Sequence, residues 1–138
     1  MTNELQKCID NEIQKCIDKV AESCSSRLED IQTLLDLMYK DSDASDEDLG
    51  NIYEYGLDFG YVESGTFPDQ LEAYHRYQIS YGGPSEEIRF YCSPPQDRTE
   101  CYRIEFWYLD WFDGAPRNIT DNDTAKALWE WLQQGLAQ

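Results

Sequence analysis

Cys101-Tyr102-Arg103-Ile104-Glu105-Phe106-Trp107-Tyr108-Leu109-Asp110-Trp111 is the stretch that decides the fold. Successive side chains of a strand point to opposite faces. Tyr102, Ile104, Phe106 and Tyr108 therefore fall on one face, and Arg103, Glu105, Trp107 and Leu109 on the other. Both faces carry bulk, which predicts a central strand with helices covering one side.

Upstream, Glu87 to Cys92 alternates Ile88, Phe90 and Cys92 against Arg89 and Tyr91 and reads as the neighbouring strand. Gly82-Gly83-Pro84-Ser85 turns the chain before it, and Pro94-Pro95-Gln96-Asp97 breaks it afterwards. Ala73 to Tyr81 is extended in character, Gly65 and Pro68 mark a loop, and Leu57 to Val62 reads as a further extended segment or as a helix end. Downstream, Asp113-Gly114-Ala115-Pro116 predicts a turn. Asp121 or Asn122 then caps a last helix with Ala125, Leu128, Trp129 and Leu132 on its apolar face.

The N-terminal third is helical. Leu5, Ile9, Ile13, Cys16, Val20, Cys24, Leu28, Ile31, Leu35 and Met38 recur in steps of three and four, and residues 1–49 contain no Pro or Gly. Glu4-Leu5-Gln6-Lys7-Cys8-Ile9-Asp10 recurs as Glu12-Ile13-Gln14-Lys15-Cys16-Ile17-Asp18, too short a repeat for a solenoid. An unbroken helix from about residue 3 to 39 would be roughly 55 Å long, more than a small domain is wide. Two outcomes follow. A break near Ser25-Ser26, favoured by the clustering of Ser23, Ser25 and Ser26 and by the capping-box form of Ser26-Arg27-Leu28-Glu29, folds the segment back. Otherwise the helix projects and pairs with another, as in a homodimer. Ser45 is expected to cap a further helix, with Asp46, Glu47 and Asp48 in its first turn, Leu49, Ile52 and Tyr53 on its apolar side and Gly56 at its end. The expected class is α+β: N-terminal helices, an antiparallel meander of three to four strands and a C-terminal helix. Residues 1–138 form one domain, a helical segment over 1–40 and an α+β body over 46–138.

Charge bounds the function. There are 28 Asp plus Glu against 11 Lys plus Arg, a formal net charge of −17 on 138 residues. Such a chain repels nucleic acid and anionic membranes and is attracted to basic surfaces. The acid is not a tail. Residues 1–50 hold 13 acids and 5 bases, residues 51–138 hold 15 and 6, and the second half carries most of the aromatic residues of a packed core. Acidity also keeps a small protein soluble, so it does not by itself make a binder. No apolar run approaches a membrane span, and residues 1–10 lack the apolar region of a secretory signal. Cytoplasm is the expected setting. The five Cys are expected as free thiols, because Cys8, Cys16 and Cys24 stand about 12 Å apart along one helix.

Motifs for chemistry are scarce, and no catalytic residue, cofactor or metal is expected. Asp41-Ser42-Asp43-Ala44-Ser45-Asp46-Glu47-Asp48 has the look of a calcium loop, but its sixth and twelfth positions are Asp46 and Ile52, where Gly and Glu are needed. His75, the lone His, sits in an aromatic strand and reads as a packed or half-exposed residue. Cys92 and Cys101 have no second pair for zinc, and no phosphate-cradling Gly loop appears. A carboxylate pair for glycoside hydrolysis carries no information among so many acids. The candidate contact residues are Asp41, Asp43, Asp46, Glu47 and Asp48, with Asp110 and Asp113 as a second patch. Trp107 and Trp111 are aromatic anchors beside it.

Tyr55-Gly56-Leu57-Asp58-Phe59, Gly65-Thr66-Phe67, Arg76-Tyr77-Gln78, Gly82-Gly83-Pro84-Ser85 and Arg103-Ile104-Glu105-Phe106-Trp107 through Asp110-Trp111-Phe112-Asp113-Gly114 resemble small uncharacterised acidic proteins of plasmids and phages. The resemblance covers about residues 53–116 and brings no catalytic residues. It implies a setting in which small acidic proteins disable host restriction or CRISPR systems, some by mimicking DNA. The expected function is a non-enzymatic inhibitor of the anti-CRISPR or antirestriction type. It would bind a basic nucleic-acid-binding protein or nuclease complex and would not bind nucleic acid itself. The alternative is an adaptor or dimerisation module whose acidity serves solubility.

Overall fold

The computed structural model describes residues 2–93, 101–110 and 113–136. The element order is α1 (Thr2–Lys40), α2 (Ile52–Tyr55), β1 (Asp58–Val62), β2 (Tyr74–Ser80), β3 (Ser85–Cys92), β4 (Cys101–Asp110), β5 (Asp113–Asn118) and α3 (Asp123–Leu136). The strands form one antiparallel sheet in the order β1-β2-β3-β4-β5. This is an α+β fold with five strands where three to four were expected.

The register explains the core. Ile88 pairs with Tyr77 and Phe106, and Phe90 pairs with His75 and Ile104. These side chains share one face of the sheet, and Val20, Cys24, Ile31, Leu34 and Leu35 of α1 and Ala125, Leu128, Trp129 and Leu132 of α3 cover it. Ile31, Ile88, Phe90, Phe106, Ala125 and Leu128 have no exposed surface at all. Asn122 caps α3, its Oδ1 accepting from the Ala125 amide at 2.9 Å. Thr124 Oγ1 donates to Gln32 Oε1 at 2.6 Å and ties α3 to α1. His75 is buried among the rings of Phe59, Tyr61 and Trp129, a packed position in the sheet.

Four expectations need correction. First, α1 does not break near Ser25-Ser26; it runs unbroken for 39 residues. Ser23 and Arg27 lie one turn apart on the side facing the sheet, and both bond the Glu86 carboxylate of β3. Ser25 and Ser26 are exposed and are kept helical by the contacts of Ser23 and Arg27 on either side of them, which override the local preference of serine for caps. Second, no helix starts at Ser45. Asp46 instead turns the chain: its Oδ1 accepts from the amides of Asp48 and Leu49, and its backbone bridges Gly50, whose φ is +79°. The short α2 begins after Asn51, whose side chain accepts from the Glu54 amide. Gly56 does end it, and a Cβ there would lie 2.3 Å from the buried Tyr77 ring. Third, the expected turn at Asp113 to Pro116 is a strand. Pro is excluded from central strands, but β5 is an edge and tolerates Pro116. Fourth, Tyr102 does not join Ile104 and Phe106 in the core. A register shift between Tyr91 and Cys92 leaves it out of the pairing, half-exposed, with its hydroxyl donating to Glu72 at 2.6 Å. The expected break at Pro94 to Asp97 lies outside the described residues.

Candidate functional site

The acidic surface is built on α1. Asp18, Glu22, Glu29 and Asp36 recur at steps of four and seven, which places them on one side of a helix, and all four are exposed. An unbroken α1 keeps them in line. The line spans about 27 Å and points away from the core stripe. It continues past Lys40 into the loop, where Asp41, Asp43, Glu47 and Asp48 are exposed and Asp46 is half-buried as the turn acceptor. One strand of duplex DNA carries roughly eight phosphates over 27 Å. The four helical acids are thus sparser than DNA, and the loop adds a denser cluster at one end.

The two expected patches are not adjacent. Asp110 pairs with Asp113 at the tip of the β4–β5 hairpin. That tip lies toward the start of α1, where Ala115 of β5 shares a groove with Ile13 and Cys16. Asp41 is 25 residues beyond Cys16, about 37 Å along the helix direction. The acids of α1 lie between these patches; read from sequence, Glu4, Asp18, Glu22 and Glu29 are the weaker candidate beside the loop, because Lys7, Lys15 and Lys19 are mixed among them. Their signal was present in the spacing, but only an unbroken helix puts them in one row. Trp111 lies outside the described residues, as does the side chain of Asp113.

Trp107 stands on the other side of the molecule, on the sheet face that no helix covers. The Arg89 guanidinium is stacked between its ring at 4.0 Å and that of Tyr74 at 4.6 Å, and Arg103 lies 3.9 Å over Tyr91. Trp107 Nε1 donates to Glu105 at 3.1 Å. A cleft of about 490 Å³ opens between this face and the Phe67–Glu72 loop. Sequence reasoning found Trp107 but missed Arg89, Arg103, Tyr74 and Tyr91, which come together only through the register of β2, β3 and β4.

Three arginines are drawn into ion pairs. Arg27 bonds Glu86 at 2.7 Å, Arg89 bonds Glu87 at 2.7 Å, and Arg103 bonds Glu72 at 3.1 Å. Arg27 also donates to the Tyr55 hydroxyl, which donates to Asp30 at 2.7 Å. Burial pushes the Tyr55 phenol up to about 12. Burial would raise the Glu86 carboxyl, but hydrogen bonds from Arg27, Ser23 and Ser80 outweigh it and hold the group below the usual carboxylate range. At Glu72 the Tyr102 hydroxyl and Arg103 do the same. These pairs neutralise three of the bases at or inside the surface and leave the row on α1 and the loop acids as outward charge.

Cys24 is buried and reduced, and Cys8 is exposed and reduced. Cys92 and Cys101 are register partners across β3 and β4. Hydrogen bonding from Cys92 draws the Cys101 thiol down, whereas burial pushes Cys24 up to about 11. Among the described residues no group of His, Cys, Asp or Glu is placed to hold a metal, and no helix is long and apolar enough to cross a membrane.

Family models, curated proteins and solved structures were compared with the chain, and none matches.

Proposed function

We propose that this protein is a non-enzymatic inhibitor that binds a basic nucleic-acid-binding protein or nuclease complex, its carboxylates occupying a groove built for phosphates. The observation that carries this is the row Asp18, Glu22, Glu29, Asp36 on an unbroken helix, running into Asp41, Asp43, Glu47 and Asp48. A groove that reads DNA backbone needs charge in line rather than scattered, and this surface supplies it. Arg27, Arg89 and Arg103 are paired with Glu86, Glu87 and Glu72, away from the row, so they do not offset its charge locally. The resemblance of residues 53–116 to plasmid and phage proteins favours an anti-CRISPR or antirestriction role, and the reduced thiols of Cys8, Cys16 and Cys24 fit a cytoplasmic setting.

The test is capture from a bacterial lysate on immobilised protein, washed with a salt gradient. A protein that itself binds DNA or RNA should elute at moderate salt, because screening weakens charge-driven contact. Recovery of no such protein, or retention indifferent to salt, would contradict the proposal.

A further inference from the structure

The stripe of α1 that packs on the sheet does not stop where the sheet stops. Val20, Cys24, Ile31 and Leu35 are buried at 0–3% exposure. The same stripe runs back through Ile17, Ile13, Ile9 and Leu5, which are 49%, 53%, 45% and 65% exposed. Leu5, Ile9 and Ile13 precede Cys16, Val20 and Cys24 by eleven residues, a period close to that of a straight helix. The stripe therefore keeps one direction along α1, covered over its later part and bare over an N-terminal arm about 27 Å long. The stripe forms one wall of a groove of about 480 Å³, where Ile9, Ile13 and Ile17 stand with Cys8, Glu12 and Cys16 and face Ala115 of β5.

Charge selects the occupant. Residues 2–19 carry Glu4, Asp10, Glu12 and Asp18 against Lys7, Lys15 and Lys19. The arm is nearly neutral in a molecule of net charge −17. A basic partner is drawn to the acids of the later helix and loop, not here. An anionic membrane is repelled by the body, and the arm lacks the Lys- and Arg-rich polar face of an interfacial helix. A second copy meets a balanced apolar stripe identical to its own while the acidic bodies stay apart, which is the self-complementary contact of a two-fold dimer.

We infer that two copies of this chain associate arm against arm, with Leu5, Ile9, Ile13 and Ile17 of each seated in the other's groove. An arm of this length gives an interface at the small end of the stable range, so the dimer is reversible and depends on concentration. Its salt dependence is opposite to that of the proposed partner contact. Salt screens repulsion between the bodies and leaves the apolar contact intact, so self-association tightens as salt rises.

The test is sedimentation equilibrium of the full chain in reducing buffer over a range of concentrations, at low and high salt, beside the Ile9→Glu/Ile13→Glu variant. The expected result is a monomer–dimer equilibrium that strengthens with salt and is weakened about tenfold or more in the variant. Near-ultraviolet circular dichroism of the buried aromatics checks that the variant body is folded, since the arm makes no part of the core. A wild-type chain that stays monomeric throughout, a folded variant that dimerises equally well, or association that weakens with salt would overturn the inference. Any of these outcomes leaves the lysate test of partner binding standing, because that contact uses different residues.

Discussion

Glu86 concentrates the logic of the fold at one carboxylate. It is 6% exposed, and it stays charged because Ser23, Arg27 and Ser80 all donate to it. Removing one partner of such a pair leaves a buried charge without compensation. Arg27→Ala should therefore destabilise the protein by about 2–4 kcal/mol, reduced from the fully buried case because Arg27 keeps some solvent contact. Urea unfolding measures it, and a loss under 1 kcal/mol (about fivefold in the equilibrium) would show that the pair is not an anchor. The pH dependence has a fixed sign. A carboxyl with a depressed folded pKa contributes stability above its unfolded value of about 4.5 and loses it as pH falls through the folded value. Glu86→Gln should flatten the stability curve in that acid range. Gly56 makes a steric prediction of the same kind: Gly56→Ala puts a methyl group into Tyr77 and should cost about 1–3 kcal/mol. Thiol chemistry should follow burial. In native protein Cys8 should react first and Cys24 last, and after denaturation five thiols should titrate.

At the scale of elements, β3, β4 and α3 were legible because apolar residues recur at the period of each element. Ile88, Phe90, Ile104 and Phe106 alternate as read and all lie in the core. The misreadings share one cause: local signals weighed without the tertiary contacts that override them. Ser25 and Ser26 signal a cap, but the bond between Arg27 and Glu86 joins residues 59 apart in the chain. Gly114 and Pro116 signal a turn, but an edge strand needs no amide at the proline and accepts both. The cross-strand Cys92–Cys101 pair and the stacking of Arg89 depend on register, which the sequence alone leaves open. Because α1 is one rigid element, Ser25→Pro should do more than remove a hydrogen bond. It should cost about 3 kcal/mol and misalign the acids on either side of it. Loss of partner binding in a Ser25→Pro chain that remains folded would tie function to the continuity of the helix.

At the scale of the whole molecule, three surfaces divide the work. The covered sheet face makes the core, the bare stripe of the arm is the surface proposed to meet a second copy, and the outer side of α1 with its following loop presents charge. The open sheet face, with Trp107, Arg89 and Tyr74, has the aromatic and arginine content of contact surfaces but holds its cations in internal pairs. The acids Asp18, Glu22, Glu29, Asp36, Asp41, Asp43, Glu47 and Asp48 lie away from both apolar surfaces, so they can be neutralised without touching the core or the apolar stripe of the arm. The decisive measurement is the association rate of the captured partner with wild-type protein and with a variant carrying Asn or Gln at these eight positions, each at low and high salt, with duplex DNA as competitor. The account predicts fast association that slows with salt, falls about tenfold or more in the variant, and is blocked by DNA. Equal rates for the two proteins, unaffected by salt and by DNA, would mean that the acids serve solubility alone.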